Sequence, residues 1–159
     1  MKLKVGSELL EQVRAHAASG YPLEVCGFLL GSLDLDAREI HVRGSRLAVN
    51  GRVDAAHHRY LIDAEEYRVA ERQAADDGIE IVGVYHSHPD ASAEPSAFDL
   101  AHAWPNQVYL IVSVEHGAVG DLTGWVLTND RRSFAQVEFS AYGATLPTSG
   151  VEGAACLKS

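Results

Sequence analysis

The segment VGVYHSHPDASAEPSAFDLAHAW, Val82 to Trp104, places two imidazoles, a hydroxyl and a carboxylate within fourteen residues, from His86 to Asp99. His86 and His88 are two residues apart, and on a strand that spacing points both side chains to one face. Two imidazole nitrogens on one face can bind one metal, and zinc accepts them at about 2.0–2.1 Å. Asp99 follows His88 by eleven residues, in the first turn of an expected helix that can fold back over the strand end. Two histidines and one carboxylate leave a fourth position open, which marks a catalytic rather than a structural zinc.

Each part also has a plainer reading. Paired histidines on a strand are often packed or surface groups, and Ser96-Ala-Phe-Asp99 has the form of a helix capping box. Capping and metal binding are compatible for Ser96 and Asp99. A bound water also needs a base. Asp90 and Glu94 lie close by on an exposed loop, while Glu24 opens the apolar run EVCGFLLG, where a carboxylate needs a partner or a task. Ser96 is a candidate donor to a developing oxyanion.

These residues need a scaffold. Ser7 is placed to cap a helix with Leu9, Leu10, Val13 and Ala17 on one face, ended by Gly20 and Pro22. VCGFLLGSL and REIHVRGSRL read as strands, and RYLI as a short third. Asp63 and Glu66 form a capping-box pattern before a helix to about Asp77, with Gly78 as a left-handed stop. IEIVGVYHSH and QVYLIVSVE are strands around the loop 89–95 and the helix from Ser96. LTGWVLT and SFAQVEF form a hairpin around Asn129-Asp130. The order α-β-β-β-α-β-α-β-β-β predicts an α+β domain, one mixed sheet with helices against it, over residues 1–140. Residues 141–159 are expected to be a flexible tail.

The composition agrees. At 47% apolar and 22% charged, the 159-residue chain suits one domain with a sizeable core. A formal charge of −9 argues against nucleic-acid binding, and Arg131-Arg132, the only adjacent basic pair, reads as a turn. Apolar runs are too short for a membrane span, and the polar N-terminus does not resemble a signal peptide, so a cytoplasmic location is expected. Cys26 and Cys156 are then expected as free thiols.

The spacing Glu … His-x-His-Pro-x(6)-Ser-x-x-Asp, filled here by Glu24, His86, His88, Pro89, Ser96 and Asp99, resembles the signature of the JAMM (MPN+, Mov34/PAD-type) zinc metalloproteases. PLEVCGFLLG also resembles short bacterial members, and the similarity runs from about Leu9 to Phe139. The resemblance implies the MPN fold, a curved mixed sheet flanked by helices and similar to cytidine deaminases. It implies one zinc on His86, His88 and Asp99, Glu24 as general base and then acid, and Ser96 stabilising the tetrahedral intermediate. It also implies hydrolysis of an amide or isopeptide bond after the Gly-Gly of a ubiquitin-like protein. The chain leaves little room for the insertions that grip ubiquitin in eukaryotic relatives, so it resembles the compact prokaryotic form. Those relatives act on ubiquitin-like sulfur carriers, releasing cysteine, a lysine-linked protein or a short extension.

Two rivals remain at this level. One is a non-catalytic MPN interaction module, disfavoured because inactive members lack the ligand set. The other is a zinc deaminase of small molecules, which would need a C-x-x-C pair that this chain lacks. Cys26 is expected to be a buried apolar residue, His57-His58 a surface loop, and His102 a surface group with a possible place near the metal. Trp104 and Trp125 are expected in the core, and Tyr85 away from the His86 face.

Overall fold

A computed structural model describes residues 1–50 and 60–142 of the chain. His57, His58 and Cys156 lie outside the described residues, as does nearly all of the expected tail. The elements are β1 (Lys2–Gly6), α1 (Ser7–Gly20), β2 (Cys26–Asp34), β3 (Glu39–Ala48), α2 (Ala64–Asp76), β4 (Glu80–Pro89), α3 (Ala97–His102), β5 (Val108–Glu115), β6 (Ala118–Leu127), β7 (Phe134–Val137) and β8 (Phe139–Tyr142). The eight strands form one sheet in the order β7-β6-β5-β4-β2-β3-β1-β8. It is mixed: β4–β5, β1–β3 and β1–β8 are parallel, and the other pairs are antiparallel.

The curvature follows from connectivity. β7 pairs with β6 at one edge and β8 pairs with β1 at the other, yet only Glu138 separates them in sequence. A flat eight-stranded sheet would hold its edge strands about 34 Å apart at ~4.8 Å per strand spacing. One residue spans far less than that, so the sheet must curl until its two edges approach.

Each face has its own core. Leu9, Leu10, Val13 and Ala17 of α1 pack on Leu29, Val42, Tyr85, Leu110 and Val112. On the other face Ala70 of α2 joins Cys26, Phe28, Ile81, Val84 and Tyr109. β4 is buried along nearly its whole length, as a central strand covered on both sides must be. Gly83 lets β5 approach: a Cβ there would lie 2.1 Å from the Val108 carbonyl oxygen.

Five expectations need correction. The chain starts with a strand: Leu3 and Val5 alternate inward in β1, but the segment is too short to stand out before its partners are known. β1 runs straight into α1, so Gly6 occupies the cap position and Ser7 becomes the first helical residue without a capping bond. Asp63 does cap α2, through Glu65 N, but Glu66 instead accepts from Val49 N at 2.9 Å. Tyr60–Ile62 form no strand, and SFAQVEF divides at Glu138 into β7 and β8, which also takes in Ala141 and Tyr142. Among the described residues no helix is long and apolar enough to cross a membrane.

Candidate active site

The alternation of β4 separates its side chains by role. Tyr85 points to the α1 face, where its hydroxyl meets His16 Nδ1 at 2.8 Å. His86 and His88 point to the other face and are both buried. The β4–α3–β5 crossover then brings the N-terminus of α3 back over the end of β4. Ser96 and Asp99 form a complete capping box there, each side chain bonding the other's backbone N–H. This cap fixes Asp99, only 4% exposed, against the two histidines.

The three side chains converge on one point. His86 Nε2 and His88 Nε2 are 3.0 Å apart. Asp99 places Oδ1 3.2 Å from His86 Nε2 and Oδ2 3.4 Å from His88 Nε2. Tetrahedral zinc with bonds of about 2.0–2.1 Å would hold its ligand atoms roughly 3.3 Å apart. The donor set therefore fits a divalent metal in both chemistry and size. His88 Nδ1 lies 2.8 Å from the Ser92 carbonyl, which favours the proton on Nδ1 and leaves Nε2 its lone pair. His86 Nδ1 has no partner among the described residues, and its ring stacks on Tyr60 at 4.3 Å. Burial lowers the His86 pKa against the pull of Asp99. Burial also opposes the charge on His88, but the bonds to Asp99 and Ser92 outweigh it and the pKa is raised. The same histidines overcome burial to hold Asp99 far below the usual carboxylate range.

Glu24 reaches this group from the segment just before β2. The β2–β4 register pairs Cys26 with His86. It continues past the strand end, where Ser87 N donates to Val25 O and Val25 N to Ser87 Oγ, both at 3.0 Å. One step further, the antiparallel register sets Glu24 opposite His88. Glu24 is 6% exposed. Burial raises its pKa from 4.5 to about 7, Asp99 adding to the rise and His88 opposing it. A buried carboxylate that exchanges a proton near neutrality, beside a metal-binding group, is suited to acid–base work.

Other candidates fall away from the centre. Asp90 accepts from Tyr21 Oη and His116 N, both at 2.9 Å, and so ties the end of β4 to two neighbouring turns. Glu94 is exposed on the loop. His102 lies outside the converging group, its Nδ1 2.9 Å from the Phe98 carbonyl. Cys26 is buried, and burial pushes its thiol up to about 12. Trp125 packs against the α2-side core, as expected. Trp104 does not: it is 37% exposed just after α3, with its ring perpendicular to that of Tyr67. The Ser96 proton is committed here to Asp99 Oδ2 at 2.6 Å.

Several supporting residues carry no sequence signal. Asn50 Nδ2 donates to the Glu24 carbonyl at 3.2 Å, and Asn50 Oδ1 accepts from Leu61 N. Ser87, between the histidines, fastens the Glu24 segment. Thr123 Oγ1 and Trp125 Nε1 both donate to the Ala93 carbonyl and pin the 89–95 loop. Only the position of Ser87 inside His-Ser-His could have drawn attention beforehand.

Comparison with known proteins gives the same picture. Residues 6–128 match the family described as prokaryotic homologs of the JAB domain. The chain belongs to this prokaryotic JAB family. It is 38% identical over 125 residues to a desampylase of Haloferax volcanii, covering 77% of this chain and 82% of that one. A Pyrococcus furiosus desampylase is 32% identical over 116 residues, covering 72% and 74%. The solution structure of a Salinibacter ruber protein superposes with a TM-score of 0.69 at 41% identity, covering 87% and 91%. As a JAB-family member with its His-His-Asp group assembled, the chain is a JAMM-type metallo-isopeptidase with the mixed, curved-sheet fold of that family.

Proposed function

We propose that this JAB-family enzyme hydrolyses the amide bond after the C-terminal Gly-Gly of a ubiquitin-like sulfur-carrier protein, using one zinc ion per chain held by His86, His88 and Asp99. The observation that carries this reading is Glu24, buried opposite His88 with its pKa raised to about 7. A binding-only module would gain nothing from that costly arrangement. The two desampylase relatives support a ubiquitin-like substrate.

When bound, zinc supplies Lewis acidity to the attacking water and the scissile carbonyl. Glu24 takes the proton from the water as oxygen adds to the carbonyl carbon. It then returns the proton to the leaving amine as the C–N bond breaks. Asp99 Oδ2 accepts the Ser96 hydroxyl proton in the absence of substrate. Turned towards a bound substrate, that hydroxyl would donate to the carbonyl oxygen as negative charge builds there. The pinned 89–95 loop keeps His88 oriented through Ser92.

The test uses each ubiquitin-like protein ending in Gly-Gly that the source genome encodes, extended by a short peptide. The proposal predicts cleavage after Gly-Gly by the zinc-loaded enzyme, seen by intact mass. Cleavage elsewhere, or of none of them, would overturn it.

A further inference from the structure

A cavity of about 290 Å³ lies directly beside the metal-binding group, with Asp99 in its wall. Tyr60, Phe98, Trp104 and Tyr109 give that wall four aromatic rings among aliphatic side chains, and Arg131 also lines it. This size is at the small end for ligand sites and takes one or two residues, not a folded protein.

Arg131 is held there by unusual means. It sits in the β6–β7 turn with φ +60, a conformation that non-glycine residues rarely adopt. Arg131 N donates to Thr128 O at 2.8 Å, and Asp130 Oδ1 braces the turn by accepting from Thr128 Oγ1 and Arg132 N. Among the described residues the Arg131 guanidinium makes no ion pair or hydrogen bond, although the chain carries nine more negative than positive charges. An unpaired guanidinium over a mostly apolar cavity is a fork for a carboxylate.

We infer that Arg131 is a specificity residue that binds the free α-carboxylate of the leaving group, so that the preferred substrate is a carrier extended past Gly-Gly by one or two residues ending in a free acid. This rests on the Gly-Gly hydrolysis proposed above and selects among its leaving groups. A lysine side chain within a folded protein offers no such carboxylate beside the bond. In the favoured reaction water adds across the Gly–X amide. The carrier leaves with a glycine carboxylate, and X leaves with its amine protonated and its own carboxylate on Arg131.

The experiment compares three forms of each encoded Gly-Gly carrier: extended by one phenylalanine as the free acid, the same as the C-terminal amide, and joined through the ε-amine of Nα-acetyl-lysine methylamide. The wild type should cleave the free acid about tenfold or more faster, in kcat/KM, than the other two, the worth of one charge-assisted contact. The acid-to-amide ratio should fall towards one in Arg131→Gln, invert in Arg131→Glu and largely persist in Arg131→Lys. Equal cleavage of acid and amide by the wild type, or an unchanged ratio in Arg131→Gln, would overturn the assignment while leaving Gly-Gly hydrolysis intact. Failure to cleave any form would instead overturn the hydrolysis itself, and this assignment with it.

Discussion

Replacing Glu24 by glutamine should stabilise the metal-free protein while removing most of the turnover. The substitution keeps the shape and removes the charge. In the fold the Glu24 carboxyl titrates at about 7 instead of 4.5, chiefly because it is buried. Between those values the folded chain keeps a proton that the unfolded chain has released, so stability falls as pH rises. The span from 4.5 to about 7, at ~1.36 kcal/mol per pH unit, corresponds to about 3 kcal/mol by pH 8. Below pH 4.5 both states are protonated and the cost vanishes. Urea unfolding of chelator-treated wild type and Glu24→Gln should therefore give curves that nearly coincide at pH 4.5. They should separate progressively to pH 8, with glutamine the more stable. Zinc-loaded Glu24→Gln should keep its metal but lose about 10²–10⁴-fold in kcat, the share of general acid–base catalysis. A variant no more stable than wild type at pH 8 would refute the burial argument. One with full activity would refute the proton-transfer role.

Other outcomes follow from the same geometry. Ser96→Ala removes the α3 cap and a hydrogen bond to Asp99, so chemical unfolding should show a loss of about 1 kcal/mol, with weaker metal retention by equilibrium dialysis. Gly83→Ala drives a Cβ onto a β5 backbone oxygen that cannot move aside, so the melting transition should show destabilisation of roughly 2 kcal/mol or more. The buried Cys26 thiol should resist iodoacetamide at pH 8 in native protein and react after denaturation, as read by peptide mass mapping.

Local spacing made the centre legible. His86 and His88 share a face because they are two apart on a strand, and Ser96 and Asp99 meet because both belong to one helix cap. Glu24 stood out as a charge at the mouth of an apolar run, though its partner was set by the long-range β2–β4 register. What escaped depended on contacts between distant segments. β1 and β8 are short strands defined by pairing with distant segments, β1 with β3 and β8 with β1. Glu66 looked like a local cap but bonds to Val49, and Asn50 anchors Glu24 from the end of β3. Arg131 read as an ordinary turn residue, because nothing in the sequence places that turn over the cavity beside Asp99.

The most direct test of the account is a metal titration of cleavage. Chelator-treated enzyme is given increasing zinc, and bound metal and hydrolysis after Gly-Gly are measured in the same samples. The account predicts no hydrolysis in the metal-free protein and a rise that saturates at one zinc per chain, with His88→Ala showing neither binding nor activity. Full hydrolysis without metal, or a His88→Ala protein that still binds zinc and cleaves, would contradict it.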